Sequence, residues 1–265
     1  MFNLPALEAA LADTIFAGKL HFLPATDSTN TDALEAARAG APHGTVYFAD
    51  EQRAGRGRGD HTWHSAAGQG LYVSVLFRTP IPAVRLPLLP LAAGLAATEA
   101  IRAVAGLVAD LRWPNDLLIG ARKAGGILVE SKTDSHSAGG GVAFAVVGIG
   151  VNVHQRDFDP GLATEATSLD LESGRTIHRQ ALLVALLKSL ECETVGLLDA
   201  SFAEAIPARV EAASTWVRGR QVSVHGPQAC EGVTEGLDRD GFLLVRTSRG
   251  PVRVQTGGMR AAEID

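Results

Sequence analysis

The apolar positions of the chain change period several times, and each change marks an element. Two stretches, 44–52 (GTVYFADEQ) and 70–78 (GLYVSVLFR), carry the apolar run or alternation of strands. Residues 29–39 read as a helix: Thr29 and Asp32 form a Thr-x-x-Asp capping box and Gly40 supplies the stop. Prolines at 80, 82, 87 and 90 punctuate an irregular passage, after which Leu91–Val104 takes helical spacing rich in alanine. VADLRWPNDLLI (108–119) predicts strand, turn and strand. KAGGILVESK (123–132) and GVAFAVVGIGVNVH (141–154) predict apolar strands joined by the polar TDSHSAGG, and helices follow over roughly 178–199 and 200–213. From about Gly219 the chain breaks into short β pieces separated by turns such as Asp240–Gly241 and Arg249–Gly250, the pattern of a small β barrel. The expected organisation is an α+β domain over 1–214 followed by an all-β module over 215–265.

Composition narrows the class without changing this picture. Hydrophobic residues at 46% and charged residues at 20% are those of a soluble globular protein. A formal net charge of −5 argues against a general nucleic-acid binder. No secretory signal and no membrane-length apolar run is apparent, so the cytosol is the expected compartment and no membrane partner is expected. Cys192 and Cys230 are too few for a disulfide framework or a four-ligand zinc site, and Cys192 reads as a buried thiol in an apolar helix.

The candidate chemistry sits in four polar clusters. Gln52-Arg53-Ala54-Gly55-Arg56-Gly57-Arg58, running to Trp63, alternates permissive glycines with guanidinium forks suited to phosphate and carboxylate. It occurs once between two strands, which favours a small-anion clamp over a disordered nucleic-acid segment, and no P-loop occurs in the chain. Asp27-Ser28-Thr29-Asn30, at a helix start, reads either as capping alone or as a neutral polar ligand site. Arg112-Trp113-Pro114-Asn115-Asp116 reads as a turn or as a stacking face, base-edge partner and Mg²⁺ ligand. Lys123 precedes Gly125–Gly126, which would permit a ligand's close approach, and Gly148-Ile149-Gly150-Val151-Asn152 ends the next strand in the same manner.

In this order the clusters resemble the biotin–protein ligases, also called biotin–[acetyl-CoA-carboxylase] ligases. That family carries an STN, a Q-x-A-G-R-G-R segment ending in W, a [KR]-W-P-N-D, a K-x-x-G-I-L-[VI]-E and a G-x-G-x-N. The matching residues here are Ser28-Thr29-Asn30, Gln52–Arg58 with Trp63, Arg112–Asp116, Lys123–Glu130 and Gly148–Asn152. The resemblance spans about residues 20–200 and extends to the C-terminal module. It implies an α+β catalytic domain similar to the class II aminoacyl-tRNA synthetase core, with a mixed sheet backed by helices, plus a small SH3-like barrel. It also implies an ATP-dependent ligase that makes biotinyl-5′-AMP from biotin and MgATP, then acylates one lysine of a biotin carboxyl carrier domain.

Carried over residue by residue, Lys123, Arg58 and Arg56 take the catalytic, charge-compensating roles. Ser28, Thr29, Asn30, Gln52, Arg56, Gly57, Arg58, Lys123 and Gly126 would surround biotin. Trp63, Arg112, Trp113, Asn115, Asp116 and Asn152 would serve the nucleotide, with Asp116 a ligand for Mg²⁺. Because the helix at 29 begins near the N-terminus, the implied type is the one without a DNA-binding domain, and no DNA partner is expected; a homodimer is left open. The family often shows G-R-x-W after the loop, whereas Asp60, His61 and Thr62 precede Trp63 here, and Arg112 replaces a more frequent lysine. Lipoate ligases and octanoyltransferases, which also modify a carrier lysine, lack this loop with a downstream W-P-N-D.

Overall fold

The computed structural model describes residues 2–78, 81–134 and 141–262. Pro80 and most of the segment expected to join the two long strands lie outside the described residues. In chain order the elements are α1 (Leu4–Ala10), β1 (Leu20–Leu23), α2 (Thr29–Arg38), β2 (Thr45–Ala49), β3 (Gly70–Phe77), a 3-10 helix (Ala83–Leu88) and α3 (Leu89–Ala105). Then come β4 (Asp110–Arg112), β5 (Asp116–Ile119), β6 (Arg122–Asp134), β7 (Gly141–Asn152), α4 (Leu169–Ser173), α5 (Arg179–Gly196) and α6 (Ala200–Ala212). The C-terminal module holds β8 (Arg218–His225), β9 (Cys230–Leu237), β10 (Leu243–Thr247), β11 (Gly250–Val254) and β12 (Gly258–Ala261).

The first seven strands form one mixed sheet in the order β1-β2-β3-β7-β6-β5-β4, in which β1 and β2 are parallel and every other pair is antiparallel. The last five form a separate antiparallel sheet, β11-β10-β9-β8-β12.

The two-residue period of β3 and β7 divides the large sheet into two working faces. Val73, Val75, Val147 and Ile149 point into the main core with α3 and α5. Leu76, Phe144 and Val146 point the other way, against Ala33 and Ala37 of α2. On that second face the register aligns Ser74 with Gly148 and Leu128, and Tyr72 with Gly150 and Gly126. Small residues at the centre of a sheet leave a depression, and the start of α2 stands beside it.

Three local readings are corrected. The Thr29–Asp32 capping box does not form: Ser28 is the N-cap of α2 and makes no side-chain cap bond, while Asp32 accepts from the Thr26 hydroxyl at 2.7 Å. Cys192 lies on the exposed side of α5, whose buried stripe is carried by Leu183, Leu186, Leu187 and Leu190. Ala83–Ala105 is long and apolar enough to cross a membrane by composition, but 67% of its most apolar window is buried within the fold. It is the central helix of the core, packed between the sheet and α5.

Candidate active site

A cleft of about 860 Å³ opens on the glycine-bearing face of the large sheet and is bounded by the C-terminal module. Ser28, Thr29, Asn30, Gln52, Arg56, Gly57, Arg58, Trp63, Arg112, Asn115, Asp116, Lys123, Gly126 and Asn152 all line it. These residues come from five separate segments of the chain, and the fold brings them to one wall.

One part of the wall is a network of neutral side chains that ends on the Glu130–Arg56 ion pair. The Thr29 backbone N–H donates to Gln52 Oε1 at 2.9 Å, and Gln52 Nε2 donates to the Ser65 hydroxyl at 2.7 Å. Thr29 Oγ1 and Ser74 Oγ are 2.8 Å apart, and Ser74 donates to Asn30 Oδ1 at 2.6 Å. Asn30 Nδ2 donates to Glu130 Oε2 at 2.9 Å, and Glu130 Oε1 accepts from Arg56 at 2.8 Å. Thr29, Asn30 and Ser74 are buried, so these bonds replace solvent for groups that would be costly to leave unpaired.

The other part is cationic. Lys123 Nζ lies 2.5 Å from Asp116 Oδ1, and Arg112 donates to Asp116 Oδ2 through Nη2 at 2.7 Å and Nε at 3.1 Å. Burial alone would push the Asp116 carboxyl up, but the Lys123 ammonium and Arg112 guanidinium outweigh it and hold it below its ordinary value. Lys123 owes its place to a one-residue irregularity: the register shifts so that Gly125 pairs with Leu117 but Lys123 pairs with Leu118. A bulge re-aims side chains, and Lys123 thereby shares a face with Gly126 three residues on.

Both oxygens of Asp116 therefore accept from cations. The described residues contain no group of three or more His, Cys, Asp or Glu able to hold a metal ion. In this arrangement the Asp116 carboxylate holds Lys123 and Arg112 in place.

The glycine–arginine loop is tied down along its length. Arg53 N donates to Thr26 O at 2.9 Å, Ala54 N to Asp27 O at 2.9 Å, Gly57 N to His61 O at 2.7 Å and Trp63 N to Gly55 O at 2.8 Å. Trp63 lies against the sheet, with Lys123 Nζ 5.6 Å from its ring centre. Its indole Nε1 is buried and has no hydrogen-bond partner among the described residues.

Two of the sheet glycines, Gly148 and Gly150, make room for the protein's own side chains. A Cβ on Gly148 would lie 2.1 Å from Asn30 Oδ1, and one on Gly150 would lie 2.6 Å from Trp63 Nε1. A Cβ on Gly126 would meet Trp63 Cζ3 at 3.4 Å. At Gly148 and Gly150 the room expected for a ligand is filled by the site's own side chains, whereas the contact at Gly126 is an ordinary one and the residue lines the cleft.

Trp113 is a further correction. It is absent from the cleft lining, is buried, and donates its indole N–H to Gly241 O of the C-terminal module at 3.0 Å. The W of the W-P-N-D cluster is a core anchor between the two sheets. Asn115 Nδ2 donates to Ile127 O at 2.8 Å and Asn152 Nδ2 to Thr167 O at 3.0 Å, so each spends one amide proton on shaping the wall.

Several lining residues escaped the sequence. Ser74, buried in a strand of apolar neighbours, carried only the faint signal of a polar residue out of place. Glu130 closes a motif that drew attention to its lysine and glycines. From the C-terminal module come His225, Thr256, Gly257 and Arg260. Arg58 donates to the Thr256 hydroxyl at 2.6 Å and also to the Gly257 carbonyl. Burial lowers the Arg58 pKa, partly offset by Asp116, and burial with Arg260, Arg112 and His61 lowers that of His225 against the pull of Asp116.

Fold and cleft together define a class: a mixed-sheet α+β domain whose cleft joins a neutral polar pocket to a cation-lined one, closed by a small β module. The Biotin/lipoate A/B protein ligase family matches residues 22–152. A biotin–[acetyl-CoA-carboxylase] ligase of Mycobacterium tuberculosis is 32% identical over 247 residues, covering 90% of this chain and 87% of that protein. A bifunctional ligase/repressor of Bacillus spizizenii is 35% identical over 235 residues, 84% of this chain and 68% of that one. The solved structure of a biotin protein ligase from Aquifex aeolicus in complex with biotin and ATP aligns with a TM-score of 0.78 at 30% identity, covering 92% of this chain and 100% of that one. The chain belongs to the biotin/lipoate A/B protein ligase family.

Proposed function

We propose that this chain is an ATP-dependent biotin–protein ligase. The carrying observation is the two-part cleft, in which a network of neutral donors and acceptors adjoins Arg58, Arg112 and Lys123. A ligand with a compact polar ring at one end and an acyl phosphate at the other matches both parts. Relatives sharing about a third of their sequence bear the name biotin–[acetyl-CoA-carboxylase] ligase.

In the first step a carboxylate oxygen of biotin attacks the α-phosphorus of ATP. The bond from that phosphorus to the bridging oxygen of the β-phosphate breaks, and biotinyl-5′-AMP and pyrophosphate result. Two like charges about 4 Å apart repel by about 4 kcal/mol at an effective dielectric of 20. Left uncompensated, that term costs nearly three powers of ten in rate. Lys123, preset by Asp116, is assigned to bridge carboxylate and α-phosphate, with Arg58 and Arg56 completing the compensation. Gly57 lets the loop backbone approach the ligand, and Gly126 leaves the wall flat beside Lys123.

In the second step a lysine amine of a biotin carboxyl carrier domain attacks the acyl carbon. The acyl–oxygen bond breaks, AMP leaves, and the amine proton passes to solvent. Ser28, Thr29, Asn30 and Gln52 would hold the ureido ring, while Arg112, Asn115, Asn152 and Trp63 would border the nucleotide. Residues 1–214 would carry this chemistry, and 215–265 would contribute the wall opposite the loop. The cytosol is the compartment this reading assigns to the reaction.

Biotin-dependent ATP–pyrophosphate exchange tests the reading. Exchange with biotin and not with lipoate or octanoate is expected. Exchange with lipoate alone would move the chain to the other branch of its family, and none with any acid would end the ligase reading.

A further inference from the structure

We infer that Glu130 sets the hydrogen-bond polarity of the neutral pocket and so selects a ligand that donates N–H groups into it. The inference rests on the ligase reading and names a residue that reading does not use.

An ionised carboxylate only accepts hydrogen bonds. With Oε1 taken by Arg56 and Oε2 by Asn30, Glu130 forces the Asn30 amide to turn its NH₂ toward β6. The Asn30 carbonyl oxygen is then left facing Ser74, whose hydroxyl donates to it at 2.6 Å. A hydroxyl has one proton, so Ser74 must accept in its 2.8 Å contact with Thr29. The Thr29 proton is then spent within the wall, on Ser74 or on Gln52 Oε1 3.0 Å away, which also accepts from the Thr29 backbone N–H. Each assignment follows from the one before, and the first is fixed by a group that cannot donate. The outcome is a wall that presents lone pairs of Thr29 and Ser74. A cyclic urea offers two N–H donors, and the pocket's polarity suits that edge.

Glu130 also joins the two parts of the site, since its other oxygen holds Arg56 of the clamp loop. It is a positioning residue, acting through Asn30 and Arg56.

The experiment is a double-mutant cycle on biotin affinity, measured by calorimetry with E130Q, N30D and E130Q/N30D. In E130Q the new amide NH₂ faces either Arg56 or the NH₂ of Asn30. Turning Asn30 over relieves the clash and reverses every hydroxyl down to Thr29. Biotin binding should weaken about tenfold or more, the effect of a mispaired buried group. N30D alone sets two carboxylates side by side and should also weaken binding. In E130Q/N30D the bond between positions 130 and 30 runs the other way, from the new amide to the new carboxylate. That carboxylate accepts from Ser74 as Asn30 does, so the original polarity of the hydroxyls returns and affinity should recover to within about threefold of wild type. Gln is isosteric with Glu, so a role in packing alone would produce no such recovery.

E130Q binding within twofold of wild type, or a double variant as weak as the two single losses combined, overturns the inference. Should E130Q fail to fold, the comparison of N30D with E130Q/N30D carries the same test, because only polarity predicts that adding E130Q improves N30D. Wild type that binds no biotin would instead remove the ligase reading, and this inference with it.

Discussion

Arg58 crosses from the glycine–arginine loop to the C-terminal module and donates to the Thr256 hydroxyl at 2.6 Å. The bond ties the glycine–arginine loop to a turn almost two hundred residues away and brings the small β module to the wall of the cleft. Removing the guanidinium in Arg58→Gly should shorten the residence of biotinyl-5′-AMP and release it to label nearby lysines indiscriminately. Thr256→Val should do the same to a lesser degree, about three- to tenfold in adenylate off-rate, as expected for one charge-assisted bond at a partly exposed site. Stopped-flow release of adenylate checks both. If the Thr256 bond acts through Arg58, the double variant will leak no faster than Arg58→Gly alone.

A Lys123 variant should separate the two half-reactions. Lys123→Ala should abolish biotin-dependent exchange yet still transfer biotin from pre-made adenylate, because its charge is needed where two anions meet and not where an amine attacks. Equal loss in both assays would assign Lys123 elsewhere.

Asp116→Asn should act on stability as well as rate. The carboxyl is held below its ordinary value in the fold, so its contribution is fully present above the unfolded value near 4. It is lost as pH falls through the lower folded value. At neutral pH the variant leaves Lys123 and the buried Arg112 facing each other, which should cost on the order of 3 kcal/mol. Urea unfolding at pH 7 and pH 3 measures it: the gap between wild type and variant should narrow in acid.

Much of this site was legible because each motif pairs a backbone need with a side-chain chemistry. The alternation of GLYVSVLFR and the apolar run of GVAFAVVGIGVNVH place β3 and β7 correctly, and the loop between Gln52 and Trp63 announces itself by composition. What escaped depends on contacts between segments. A strict two-residue period would put Lys123 and Gly126 on opposite faces, and only the bulge at Ala124 unites them. The glycines of β7 read as room for a ligand, whereas Asn30 and Trp63 fill it. Trp113 looked like a stacking face because nothing in its neighbourhood reveals Gly241 as the partner of its indole. Cys192 looked buried because its helix is apolar on nearly every side.

His225 gives the site a pH response. Burial and the neighbouring cations hold its imidazole below the usual value near 6.5, so it is neutral in the free protein at neutral pH. The folded chain then binds fewer protons than the unfolded one, and stability falls as pH drops below that usual value. An anionic ligand in the cleft adds negative charge beside the ring and raises its pKa, so adenylate binding near pH 6 should take up a proton. Calorimetry in buffers of different ionisation enthalpy reads this uptake, and His225→Asn should abolish it.

Two glycines of one strand should report separately on the two parts of the cleft. In Gly148→Ala the new Cβ would sit 2.1 Å from Asn30 Oδ1. Asn30 is buried and bonded to Ser74 and Glu130, so it has no free direction in which to yield. Biotin affinity should fall by about tenfold or more while ATP binding holds, since a displaced Asn30 leaves buried polar groups unpaired. In Gly150→Ala the obstacle is the Trp63 indole at 2.6 Å, whose Nε1 has no protein partner to lose. That variant should move Trp63 off Lys123 and weaken the nucleotide more than biotin. Titrations of biotin and of ATP on the two variants, one ligand at a time, decide the matter. Parallel losses for both ligands in both variants would mean that β7 supports the cleft as a single rigid wall.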